Sequence, residues 1–254
     1  MIRQICGHFS FHDYVFKSPD RFTLLLSEGT IIDVINRYNH FDFSLRSTSR
    51  KKDTKLHELI HLSATGIGFL LDSPTFASFP TKPTEALCLY EKDDLTDEIV
   101  FELVEYDIRF DQTSGKSIFV ETGKPRILKL RRIEFEQFIN KLISNDILES
   151  AVEYYLNAMD QPYLYLVSLY KVHEILKNRD VISKTAAKKF TRIANDPNIL
   201  IARHASSESG NFRRLTFNED KLCHDIIRSG IICYADRCSA KANNRIQPKP
   251  AFNQ

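Results

Sequence analysis

The sequence predicts an α+β protein, an antiparallel β-rich N-terminal half followed by a C-terminal helical bundle. Three observations carry this. Apolar and polar residues alternate at period two in 41–46 and again in 104–111, as in half-buried strands. Beyond Arg131 the apolar positions recur at i, i+3, i+4 and i+7, as on an amphipathic helix. Residues 161–178, QPYLYLVSLYKVHEILKN, are the most apolar helix-length run of the chain and leave no broad polar face. Such a helix is buried on most sides. The expected domains are a β-rich domain over 1–130, a helical bundle over 131–238 and a mobile tail over 239–254, which has two prolines and no apolar periodicity.

The β half reads as follows. Residues 21–36, RFTLLLSEGTIIDVIN, fit either two strands around Glu28 and Gly29 or a strand and a short helix. Phe41, Phe43 and Leu45 alternate with Asp42, Ser44 and Arg46. STSRKKDTK, 47–55, is a basic polar loop, and 74–83 is a second loop whose three prolines exclude a central strand. Short strands are expected at 87–90 and 126–130. Val104, Tyr106, Ile108 and Phe110 form a strand that turns through DQTSGKS into 117–121, a hairpin with a long loop.

In the helical half, Phe135, Phe138, Ile139, Leu142 and Ile143 define a helix over 133–144. Asp146 and Glu149 have capping-box spacing ahead of a helix carrying Leu148, Ala151, Val152, Tyr155 and Leu156. Asp160 and Pro162 open the central helix. Ser183 caps 184–194, which Asn195, Asp196 and Pro197 end. Thr216 and Glu219 form a capping box for a last helix over 217–229, with Gly230 as its stop.

Composition bounds the function classes. A length of 254 residues is one large domain or two ordinary ones. The net charge of +2 does not point to a nucleic-acid partner, so any such case rests on a local patch. Five scattered cysteines and no signal-peptide pattern fit reduced thiols in the cytoplasm. No apolar run reaches the roughly 20 residues of a membrane span. With eight glycines, no GxxxxGK[ST] or GxGxxG loop is present.

Two segments carry chemical signals. Between Lys171 and His204 there are eight basic residues, Lys171, Lys177, Arg179, Lys184, Lys188, Lys189, Arg192 and Arg203, against Glu174, Asp180 and Asp196. Lys188, Lys189 and Arg192 are the nucleic-acid-binding candidates, since local positive charge is the footprint of a phosphate-binding surface. The alternative is a solvated helix face. Arg203 and His204 combine a permanent planar charge with a group that moves protons near neutral pH. With Glu174 to orient them, they are the catalytic candidates for metal-free phosphodiester cleavage. The alternative is an Arg203–Glu174 ion pair with His204 on a loop.

This half resembles the HEPN helical domains, in its buried Tyr- and Leu-rich helix, its Asn-containing turn and its late His followed by a small residue. The resemblance covers at most 134–229. It implies a helical bundle associated with RNA or nucleotides, a ribonuclease or nucleic-acid-binding component of bacterial defence or of a toxin–antitoxin pair. The family's catalytic Arg precedes its His by several residues, whereas Arg203 directly abuts His204. The partners expected are RNA or a nucleotide and a second copy of the chain through the bundle, with no membrane and no cofactor.

The second signal is HELIH at 57–61. On a helix, His57 and His61 would both ligate zinc, with Glu58 as the base acting on a metal-bound water. Lys55 before it and Gly66 and Gly68 after it argue against a long buried helix. On a strand Glu58 would face away from both histidines. A third ligand would be Glu85 or Glu91. Cys223, His224, Cys233 and Cys238 cluster without paired CxxC spacing. A non-enzymatic protein-interaction or ligand-recognition module is the remaining alternative.

Overall fold

The computed structural model describes residues 3–11, 14–16, 21–26, 30–36, 40–47, 53–72, 75–78, 98–111, 116–121, 124–202 and 212–244. The chain forms two compact units, Met1–Ile143 and Ser144–Gln254. The architecture is α+β: antiparallel sheets dominate the first unit and helices form the second.

In the first unit, β1 (Arg3–Phe11), β3 (Arg21–Leu26), β4 (Thr30–Asn36), β5 (His40–Ser47) and β6 (Thr75–Ser78) make an antiparallel sheet ordered β3-β4-β5-β1-β6. The ambiguity over 21–36 resolves as the hairpin β3–β4. Its register aligns Phe22, Val34 and Phe43 in one row and Leu24, Ile32 and Leu45 in the next, all buried. The segment expected as a proline loop at 74–83 contributes an edge strand, β6, which the neighbouring prolines permit because an edge needs fewer ladder donors. A second sheet is built on the long strand β7 (Glu98–Asp111), which pairs with β2 (Tyr14–Phe16), β8 (Lys116–Glu121) and β9 (Arg126–Arg131). The expected strand at 87–90 lies outside the described residues.

The clearest correction concerns 47–71. A helix, α1 (Asp53–Leu71), starts inside the expected polar loop and carries HELIH through its first half. Gly66 does not end it. It lets α1 lie against α2 (Arg132–Ile143), where an added Cβ would overlap Cδ1 of the buried Ile139. Phe69 stacks on Phe138 across the same contact, with centroids 5.3 Å apart. α2 also covers β3, and Phe22, Phe41, Phe101 and Phe135 meet at centroid distances of 5.6–6.5 Å, mostly edge to face. Aromatic pairs favour this geometry because the ring edge is positive and its face negative. Glu136 of α2, itself buried, accepts the Leu25 N–H of edge strand β3 at 2.9 Å. The change of sequence period at Arg131 thus falls one helix ahead of the division between the units.

The second unit comprises α3 (Asp146–Asp160), α4 (Tyr165–Leu176), α5 (Lys184–Ala194) and α6 (Phe217–Asn244). Asn145, rather than Asp146, caps α3, its side chain accepting from the N–H groups of Ile147 and Leu148. Pro162 opens a short 3-10 turn, Pro162–Leu164, ahead of α4, and a second turn, Lys177–Arg179, closes it at Asp180 in the left-handed region. The apolar run forms a core helix over only part of its length: Leu166, Leu169, Val172 and Leu176 are fully buried, whereas Tyr163 and Leu164 in the turn ahead of α4 are exposed. Ser183 caps α5 as expected. α6 does not stop at Gly230 but runs on to Asn244. Gly230 is there because Ile182 would come within 2.8 Å of an added Cβ and Leu176 within 3.4 Å. Residues from 245 lie outside those described. No helix among the described residues is long and apolar enough to cross a membrane.

Candidate nucleic-acid interface

α5, KTAAKKFTRIA, contains four cations and no acid. Its period places Phe190, Ile193 and Ala194 in the core, with Lys184, Lys188, Lys189 and Arg192 exposed on the other side. Lys184, Lys188 and Arg192 follow one another at i, i+4 and i+8, so their charges form a stripe along the helix. None of these four is paired with a carboxylate among the described residues.

At the end of α5 the chain makes an Asx-type turn, in which Asp196 accepts the Asn198 N–H at 2.9 Å. Residues 198–200 then pair with Arg213: the Arg213 N–H donates to the Asn198 carbonyl, and the Leu200 N–H donates to the Arg213 carbonyl. The Arg213 guanidinium joins three elements, donating to Asp196 at 2.8 Å and to both carboxylate oxygens of Glu219 at 2.8 Å. Glu219 closes the predicted capping box, accepting the Thr216 N–H while Thr216 Oγ1 accepts the Glu219 N–H. Bonding by Arg213, then by Thr216, holds the Glu219 carboxyl down to about 2. The Asn198 N–H, followed by Arg213, lowers that of Asp196. Arg213 is thus a structural cation, consumed by its carboxylates. Its neighbour Arg214 lines an apolar groove of about 550 Å³, together with Met159, Tyr163, Leu200, Leu215, Phe217 and Asp220 among others. Phe217 is 79% exposed and Tyr163 69%.

The other expected site residues fall as follows. Lys188, Lys189 and Arg192 share the α5 face described above. Glu174 is exposed on α4 and pairs with Lys171 at 3.3 Å. Arg203 and His204 lie outside the described residues, one after the other beyond Ala202. His173, next to Glu174, is buried against the rings of Tyr170 and Phe190, and its Nδ1 has no hydrogen-bond partner. Burial, then the Lys177 charge, lowers its pKa, with Glu174 opposing.

α1 carries His57 and His61 one helical turn apart, and Glu58 is exposed. Glu85 and Glu91 lie outside the described residues, and no group of three metal-ligating side chains occurs among those described. Among the Cys and His residues of α6, three have structural contacts. Cys223 is buried, and burial above all pushes its thiol up to about 12. His224 Nε2 lies 2.5 Å from the buried Tyr155 hydroxyl, and Cys238 Sγ lies 3.2 Å from the Asn145 amide.

Sequence reasoning missed the separate fates of Arg213 and Arg214, one locked in ion pairs and one facing the groove. The only local signal was the Phe212, Leu215 and Phe217 pattern around two arginines, which does not say which residue turns where. No family model, curated protein or solved structure matches this chain.

Proposed function

We propose that the helical unit binds the phosphate backbone of RNA or a related nucleic acid through the exposed face of α5. The observation that carries this reading is the stripe of Lys184, Lys188, Lys189 and Arg192 on a helix without acids. Phosphates attract such a surface from a distance and release counterions when they dock. The Arg213 ion pairs support the reading by fixing the chain that follows α5 at the end of the stripe. Binding of a labelled oligonucleotide to the full chain, followed as salt is raised, tests it. Affinity is expected to fall steeply with salt. Replacing Lys188, Lys189 and Arg192 together with Ala is expected to weaken binding and reduce the salt slope by roughly two to three phosphate contacts. Binding indifferent to salt and to these substitutions overturns the proposal.

Cleavage is a further step of the same reading, with His204 as the proton-transferring group, Arg203 as the charge on the reacting phosphate and Glu174 as their orienting carboxylate. His204→Ala tests it: loss of cleavage with unchanged binding and melting temperature is expected, and equal cleavage removes the assignment.

A second reading, zinc peptidase chemistry, has one specific observation in its favour, the helical setting of His57 and His61. Metal analysis of the purified chain and of His61→Ala tests it, and equal zinc content in both discards it.

A further inference from the structure

We infer that the groove beside Arg214 is a seat for an unpaired base, so that the protein selects single-stranded over duplex nucleic acid. The inference rests on the phosphate-binding role proposed for α5 and adds a second contact to it.

The two surfaces share the same pair of chain segments. Arg192, Asp196 and Arg213 line a cleft at the end of α5, and Leu200, Arg214 and Leu215 line the groove. Arg213 and Arg214 are consecutive. The first is spent on Asp196 and Glu219, which locks the segment in place. The second remains exposed and has no carboxylate partner among the described residues. Arg213 neutralises Asp196 and Glu219 in the cleft, which leaves Arg214 as the uncompensated cation of the groove lining that a phosphate would use, and this is what commits the groove to a nucleic-acid occupant.

The groove supplies what a base needs. At about 550 Å³ it falls within the size range of small-ligand pockets, roughly 300–1,000 Å³. Its surface is mostly apolar, and two aromatic rings, Phe217 and Tyr163, are left largely in solvent. Exposed rings beside a cation are the stacking platforms of single-strand binders, tolerant of sequence because every base has a π-face. The Asp220 carboxylate on the same lining can accept from an exocyclic amine and would repel a phosphate, so it favours a base inside and the phosphate outside, on Arg214. In a duplex the bases are stacked and paired, and only the α5 contact is available.

The chain contains no Trp, so Phe217→Trp in this chain gives a single reporter in the groove. Its fluorescence is expected to be quenched by a single-stranded oligonucleotide and not by a hairpin duplex of equal charge. In the parent sequence, Phe217→Ala and Tyr163→Ala are expected to lower single-strand affinity about tenfold each, leaving duplex affinity, salt slope and melting temperature unchanged. Both side chains are largely exposed, so folding is not at stake. Failure of every oligonucleotide to bind at low salt removes the α5 proposal and this one with it. Binding that depends on Lys188, Lys189 and Arg192 but ignores Phe217→Ala and Tyr163→Ala, or that favours the duplex, overturns the base seat alone. Quenching by an amphipathic apolar peptide but not by the oligonucleotide reassigns the groove to a protein partner and overturns it equally.

Discussion

His173 occupies a place that suits only its neutral form. Its ring packs beside those of Tyr170 and Phe190, and its Nδ1 has no partner. A proton there would be desolvated and would face Lys177, with only Glu174 in compensation. The folded-state pKa is therefore below the ordinary 6.5. As pH falls through 6.5 the unfolded chain takes up a proton that the folded chain refuses, so stability is full above 6.5 and declines below it until the folded pKa is passed. Urea titrations at descending pH are expected to show this loss, and His173→Phe should flatten it. An unchanged slope would mean that other groups set the acid limit. The sequence placed this residue on the core helix but gave no sign of its burial, because His at a helix end reads equally well as a surface group. The capping box of Thr216 and Glu219 was legible, since its partners are three residues apart. The bond from Arg213 to Asp196 was not, since the partners are 17 residues apart.

At the scale of elements, local period was a good guide and glycine a poor one. The strands β3, β4, β5 and β7 and the helices α2 to α5 follow the alternation or the helical repeat of their own residues. Gly66 and Gly230 suggested breaks, yet each sits within a helix where another side chain needs the space. That need belongs to the partner helix, which no local window contains. For Gly66→Ala, better helix propensity is worth about 1 kcal/mol, while crowding of Ile139 in a filled core costs about 1–3 kcal/mol. Net destabilisation is expected by thermal unfolding. Ile139→Val removes the very methyl that Ala would meet, so the double variant should recover most of the loss. Additive losses would show that the contact is not the cause. α1 was obscured for the same reason, its glycines and basic lead-in outweighing a stretch that is buried from Leu62 to Phe69.

For the whole molecule, the cores of the two units explain what can be expected of each. Leu148, Val152, Tyr155, Leu166, Leu169, Val172, Phe190 and Ile227 are buried among α3, α4, α5 and α6. A fragment of residues 144–254 is expected to unfold cooperatively with helical circular dichroism and to keep the α5-dependent binding. A broad, non-cooperative melt would show that it needs the first unit. The cationic stripe was legible because surface charge on an amphipathic helix is written in sequence order. The groove was not, because its lining comes from four separated stretches between Ala158 and Asp220.

The reach of Glu136 to the Leu25 N–H has a consequence for solution behaviour. Among the described strands β3 ends its sheet, and an open strand edge invites another chain to add to it. A buried carboxylate seated on that edge takes one of the donors an incoming strand would use. Glu136 is therefore expected to disfavour self-association through this edge. Glu136→Leu, which keeps the bulk and removes the acceptor, is expected to raise light scattering on mild heating before the melting transition is reached. A chain that stays monodisperse after that change would show that the edge is protected by other means.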